Sequence, residues 1–117
     1  MNFTAVVTGA SKGIGFSVAQ RLAEAGFSLF IVGRDNNRLS DAKSQLLSAG
    51  APEVYTFSGD LSQSDVAKDC VAAIENTWDS LTVLVNNAGV FLPGTMMKEE
   101  DGQFETLMTT NMNSAYH

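Results

Sequence analysis

Short apolar runs alternate along this chain with stretches in which apolar residues recur every three or four positions, and that alternation leaves few architectures open. Phe3 to Val7 is a β-rich run feeding Thr8-Gly9, and a strand pattern therefore starts at Asn2 or Phe3. From Gly13 or Ile14 to Ala25, residues Ile14, Val18, Leu22 and Ala25 share a helical face, with Gly26 standing where a helix C′ residue belongs. Ser28 to Gly33 is the second run, and its near-continuous hydrophobicity suits a parallel strand covered on both faces. Asn36 to Ser48 returns to helical spacing through Leu39, Ala42, Leu46 and Leu47 and closes at Gly50 and Pro52. Val54 to Phe57 alternates, as an edge strand does. Ser62 to Trp78 is a third helix, with Ser62 as its N-cap and Val66, Cys70, Ala73, Ile74 and Thr77 along one face. Leu81 to Asn86 is the fourth strand. After Gly89 a loop carries Pro93, Gly94, Met96 and Met97, and a fourth helical pattern runs from near Gly102 to His117, with Phe104, Leu107, Met108 and Asn111 on one face. The βαβαβαβα order predicts one α/β domain over residues 1–117, a doubly wound parallel sheet or half of one, with the chain breaking off inside its last helix.

Composition narrows the partners. A net charge of −6 with seven Lys and Arg dispersed along the chain offers no basic face for a phosphate backbone, which argues against nucleic acid. No run approaches the roughly 20 apolar residues of a membrane span, and no basic-then-apolar leader precedes the first strand. The single cysteine, Cys70, forms no internal disulfide and reads as a small buried apolar residue rather than a nucleophile. A cytoplasmic protein is expected. The lone His117 has no partners for a metal ligand set.

The chemistry is concentrated at Thr8-Gly9-Ala10-Ser11-Lys12-Gly13-Ile14-Gly15, the joint between first strand and first helix. Glycines there let the backbone turn sharply and approach a pyrophosphate, whose charge meets helix N–H groups and the positive end of the helix dipole. A Gly-rich turn made only for tight packing is the plainer reading of that motif taken alone. Its spacing is T-G-x-x-x-G-x-G rather than G-x-G-x-x-G, and in this the sequence resembles the short-chain dehydrogenase/reductase family. Asp60-Leu61 after the third strand, Asn86-Asn87-Ala88-Gly89 after the fourth and Asn111 in the fourth helical pattern match the family in the same order. The resemblance covers the whole chain but only about the first half of the family's usual length.

The resemblance implies a Rossmann-type sheet of about four strands in the order 3-2-1-4. It also implies that Gly9, Ser11, Gly13, Ile14 and Gly15 wrap the pyrophosphate, and that Asp60 accepts from the adenine amino group while the Leu61 backbone donates to the ring. Asn87, Ala88 and Gly89 would lie beside the adenosine ribose, with Asn86 or Asn87 bonding back to Thr8. A turn or capping aspartate is the alternative for Asp60. The second strand ends Val32-Gly33-Arg34, with Lys12 in the first motif. A cation in these places pairs with the 2′-phosphate of NADP, where an acid would hold the ribose of NAD. NADP is therefore expected over NAD, although Asp35 follows directly and a carboxylate turned inward would repel that phosphate.

In the family a serine and a Y-x-x-x-K pair carry out proton transfer, and of the catalytic set only Asn111 has a counterpart here. Tyr116 is followed only by His117, and Gly59 stands four residues after Tyr55, so neither tyrosine has a lysine partner. The expectation is the NADP(H)-binding portion of an oxidoreductase acting on a carbonyl or alcohol, incompetent by itself. The alternative is a non-catalytic nucleotide-binding or interaction module. An epimerase-type relative would carry T-G-x-x-G-x-x-G instead. Met96 and Met97 border the substrate cleft by resemblance, or fill core gaps. With order 3-2-1-4 the outer edge of the fourth strand, Leu81 to Val85, is left open beside the apolar face of Phe104, Leu107 and Met108, so self-association to a homodimer or larger is expected.

Overall fold

The computed structural model describes residues 3–11, 13–86 and the pair Thr109–Thr110. Its elements follow in the order β1 (Thr4–Thr8), α1 (Gly13–Glu24), β2 (Ser28–Gly33), α2 (Asn36–Ala49), β3 (Val54–Ser58), α3 (Ser64–Thr77), β4 (Val83–Asn86) and β5 (Thr109–Thr110). The strands form one sheet in the order β3-β2-β1-β4-β5, and every pairing is parallel. The expected order of the first four strands is what the sheet has.

The two-residue period of a strand sends neighbouring side chains to opposite faces, and here it sorts the core into two halves. Ala5, Val7, Leu29, Ile31, Val54, Val83 and Val85 point to one face, where they meet Ala19 and Ala23 of α1 and Leu39, Ala42 and Leu46 of α2. Val6, Phe30, Val32 and Leu84 point to the other, where Ala67, Cys70, Val71 and Ile74 of α3 cover them. All five residues of β1 and all six of β2 are buried, which is why those runs lack polar alternation. Strand β3 has one neighbour and exposes Tyr55, Thr56 and Ser58. Register places Tyr55 beside Phe30, their rings 6.2 Å apart, and Trp78 meets both rings edge-on at 6.0 Å.

Helix ends explain most boundaries. Asp35 caps α2, its Oδ1 accepting from the N–H groups of Asn37 (2.9 Å) and Arg38 (3.2 Å), and Gly50 closes the helix by donating to Leu46 and Leu47 carbonyls. The third helix departs from expectation. It begins at Ser64 with Gln63 in the N-cap position, and Gln63 makes no side-chain capping bond. Ser62 is not the cap, because its hydroxyl and its N–H both turn back to Asp60.

A second correction concerns the end of the chain. The helical pattern expected from Gly102 to His117 is broken at Thr109 and Thr110, which form β5 and pair with Leu84 and Val85 of β4. Two β-branched residues in a row favour a strand, and the edge of β4 offers unpaired N–H and C=O groups to bond. The edge expected to lie open is thus closed at Leu84 and Val85, and pairing of two copies along the whole stretch Leu81 to Val85 loses its basis. Phe104, Leu107 and Met108 lie outside the described residues.

Candidate functional site

Parallel strands end together, so the loops after β1, β2 and β3 gather along one rim of the sheet with the end of β4. Register puts Thr8 beside both Val32 and Asn86, and Gly33 beside Ser58. The first of these loops turns at Gly9 (φ 63°) and again at Gly13 (φ 64°), both in the left-handed region that favours glycine. The N–H groups of Gly9 and Ala10 donate to the Val32 carbonyl at 2.8 and 3.3 Å. The start of the loop is therefore tied to β2, and Gly9 acts as a turn rather than as a donor aimed outward.

Helix α1 begins at Gly13 with no acidic residue in its first turn, which leaves the positive end of its dipole uncompensated from within. Gly15 is buried in the helix, while Ile14 is 36% exposed. Ser11 sits against the end of β2: a Cβ on Gly33 would stand 3.5 Å from Ser11 Oγ and 3.1 Å from Leu39 Cδ2. A side chain there would press on Leu39 and touch Ser11. Ser11 also lines an open groove of about 330 Å³ with Phe16, Arg38 and Gln45.

A buried hydrogen bond joins two of the motifs. Thr8 Oγ1 donates to Asn86 Oδ1 at 3.0 Å, with Thr8 wholly buried and Asn86 2% exposed. Of the two asparagines that could bond back to Thr8, the first does so. The strand ends carrying the Thr-Gly and Asn-Asn-Ala-Gly motifs are locked side by side.

The third part of the rim carries charge. Arg34 follows β2 and Asp60 follows β3, and Arg34 Nη2 lies 3.6 Å from Asp60 Oδ2. Asp60 Oδ1 accepts from the Ser62 hydroxyl at 2.7 Å and from the Ser62 N–H at 3.0 Å. These bonds hold the carboxyl below its ordinary value, the Ser62 hydroxyl contributing most, the Ser62 N–H next, and the Arg34 charge less. Asp60 is thus a turn aspartate, with its second oxygen on the side of Arg34. Leu61 buries its side chain in the core cluster under α3, which pins the segment from below. Asp35 does not turn inward: one of its oxygens caps α2 and the other lies 3.7 Å from Arg38 Nε.

Gly9, Ser11, Arg34, Asp60 and Leu61 therefore fall on the loops of one rim, and Gly13, Ile14 and Gly15 on the first turn of α1 beside them. Lys12, Asn87, Ala88, Gly89 and Asn111 lie outside the described residues. Sequence reasoning missed Ser62 as the partner of Asp60, although Asp-x-Ser is the spacing of an aspartate turn. Tyr55 is no proton relay. Its hydroxyl donates to Glu53 Oε1 at 2.8 Å, and that bond foremost raises its pKa above the ordinary 10.0, the reverse of an activated phenol. Among the described residues no cluster of His, Cys, Asp and Glu could hold a metal ion, and no helix is long and apolar enough to cross a membrane.

The sequence model of the short chain dehydrogenase family matches residues 3–117. The chain belongs to that family. Among short-chain dehydrogenases it is similar to the 3-oxoacyl-[acyl-carrier-protein] reductase FabG of Staphylococcus epidermidis, 28% identical over 117 residues, which is 100% of this chain and 48% of that protein. It is also similar to gluconate 5-dehydrogenase of Gluconobacter oxydans, 34% identical over 112 residues, or 96% of this chain and 43% of that one. Among solved structures, the RhlG/NADP active-site complex of Pseudomonas aeruginosa superposes with a TM-score of 0.68 at 38% identity, over 75% of this chain and 35% of that one. The chain spans about half the length of the curated relatives it matches.

Proposed function

We propose that this short-chain dehydrogenase chain is the NADP(H)-binding portion of an oxidoreductase that moves hydride between the nicotinamide and a carbonyl or alcohol. The observation that carries the choice of NADP is the division of labour after β2. Arg34 stands at the strand end with its side chain 79% exposed, while the neighbouring carboxylate of Asp35 is committed to the N-terminus of α2. Arg34 is thus braced at the strand end by Asp60, 3.6 Å away, with most of its side chain open to a 2′-phosphate, while the Asp35 carboxylate is occupied at α2. Lys12 is proposed as the second cation. The relative from Pseudomonas aeruginosa was solved with NADP, and an L-sorbose reductase of similar fold, TM-score 0.71 at 29% identity, with NADPH. Both support the reading.

The residues on the rim fit such a group. The pyrophosphate would lie over the N-terminus of α1, with Ser11, Gly13, Ile14 and Gly15 around it and Gly9 turning the chain beneath. Gly33 keeps the approach beside Ser11 open. Asp60 would accept from the adenine amino group and the Leu61 backbone would donate to the ring, while Asn87, Ala88 and Gly89 would border the ribose. When bound, the nicotinamide supplies the hydride. Proton transfer needs an acid that these 117 residues do not pair with a lysine, so the chain on its own binds without turnover, and Asn111 is its one residue proposed for the catalytic set.

Calorimetry with 2′,5′-ADP and 5′-AMP tests the reading. Arg34→Ala should weaken 2′,5′-ADP about ten- to a hundredfold, the value of a charge-assisted hydrogen bond, and barely change 5′-AMP. Equal losses for both ligands would reject Arg34 as the 2′-phosphate contact.

A further inference from the structure

We infer that Ser62 is a positioning residue for purine recognition: by holding Asp60 Oδ1 from two donors it leaves Oδ2 turned along the rim, and so sets a preference for a 6-aminopurine over a 6-oxopurine. This rests on the reading of Asp60 given under Proposed function.

The geometry separates Ser62 from the ordinary work of a serine before a helix. Helix α3 starts two residues later, and its N-cap position is Gln63. The Ser62 hydroxyl does not serve the helix; it donates at 2.7 Å to Asp60 Oδ1, to which the Ser62 N–H also donates at 3.0 Å. The terminal torsion of an aspartate is broad and two-fold, so a carboxylate with no fixed partner presents either oxygen in a range of directions. Two donors on one oxygen remove that freedom. The other oxygen is then fixed on the side where Arg34 lies, 3.6 Å away across the ends of β2 and β3.

Recognition follows from donor and acceptor types. An ionised carboxylate only accepts, so its outward oxygen can take a bond from an exocyclic amino group and faces a 6-oxo group acceptor to acceptor. Asp60 is ionised at neutral pH with or without these bonds, and the Ser62 donors favour that acceptor-only form further. Without the hydroxyl the carboxylate rotates more freely, and its preference for a donor at one fixed point weakens. Threonine keeps the hydroxyl and should keep the preference.

The test uses the 117-residue chain, with NADP and its hypoxanthine analogue titrated against amide chemical shifts, which report weak binding as well as strong. The wild type should prefer NADP. Ser62→Ala should cut that preference about three- to tenfold, the value of one hydrogen bond, and Ser62→Thr should retain it. Thermal unfolding checks that each variant is folded, and Ser62→Gly makes the same comparison if S62A is not. In the ligand-free chain the carbon-13 titration of the Asp60 carboxyl should move to higher pH in S62A and stay in place in S62T. Equal weakening of both dinucleotides by S62A, or an unchanged preference, would overturn the inference while leaving dinucleotide binding intact. A wild type that binds neither dinucleotide would overturn this inference together with the reading it rests on.

Discussion

Replacing Thr8 by valine removes one atom's chemistry and almost none of its volume. Thr8 and Asn86 are buried, and the bond from Oγ1 to Oδ1 at 3.0 Å ties the end of β1 to the end of β4. A neutral hydrogen bond contributes about 0.5 to 1.5 kcal/mol net, and a buried carbonyl that loses a donor costs about 1 to 3 kcal/mol. These two figures describe the same loss from two sides; taking the larger, and with the extra methyl returning about 0.8 kcal/mol by burial, Thr8→Val should destabilise the chain by about 0.2 to 2.2 kcal/mol. For a domain of this size that is a fall in Tm of about 1 to 9 °C. Urea unfolding followed by Trp78 fluorescence gives the free energy, and a double-mutant cycle with Asn86→Ala isolates the pair. The two changes together should cost less than their sum, by about 0.5 to 1.5 kcal/mol, because the second removes a bond already lost. Strict additivity would show that this side-chain bond contributes nothing as a pair beyond the β1–β4 ladder and its packing.

Burial pushes the Cys70 thiol from an ordinary 9.0 up to about 12. The folded thiol then stays protonated where the unfolded one ionises, so its contribution is complete below pH 9.0 and is lost as pH rises toward about 12. Within that window the loss runs at up to about 1.4 kcal/mol per pH unit, a slope that Cys70→Ala should lack. At pH 8 a disulfide reagent should label Cys70 only as the chain unfolds, and rapid labelling of the folded protein would contradict its burial. Asp35→Ala should cost about 1 kcal/mol by uncapping α2, yet leave discrimination between 2′,5′-ADP and 5′-AMP intact. A loss of discrimination would mean that Asp35 takes part in the site.

Much of the fold could be read along the chain because its signals are local. Continuous hydrophobicity marked β2 as doubly covered, helical periodicity marked α1 and α2, and Gly26 and Gly50 marked helix ends. The turn between β1 and α1 was equally legible, since Gly9 and Gly13 take the left-handed φ that such a turn needs. What failed was local in appearance and non-local in cause. The stretch from Gly102 has helical spacing, but Thr109 and Thr110 answer to the edge of β4, whose paired residues stand 25 positions earlier in the chain (109 − 84 and 110 − 85), and a backbone edge leaves no mark on side-chain periodicity.

The site divides in the same way. Sequence alone determined which residue types stand after each strand: a glycine turn, a cation, an aspartate and a pair of asparagines. Only tertiary structure decided how they share work. It assigned the bond to Thr8 to Asn86, committed Asp35 to α2 and set Ser62 to hold Asp60. It also brought Arg34 within 3.6 Å of an acid 26 positions away in the chain. The physical reason is that a side chain's chemistry is fixed by its type, whereas its partner is fixed by which strand ends the parallel register brings side by side.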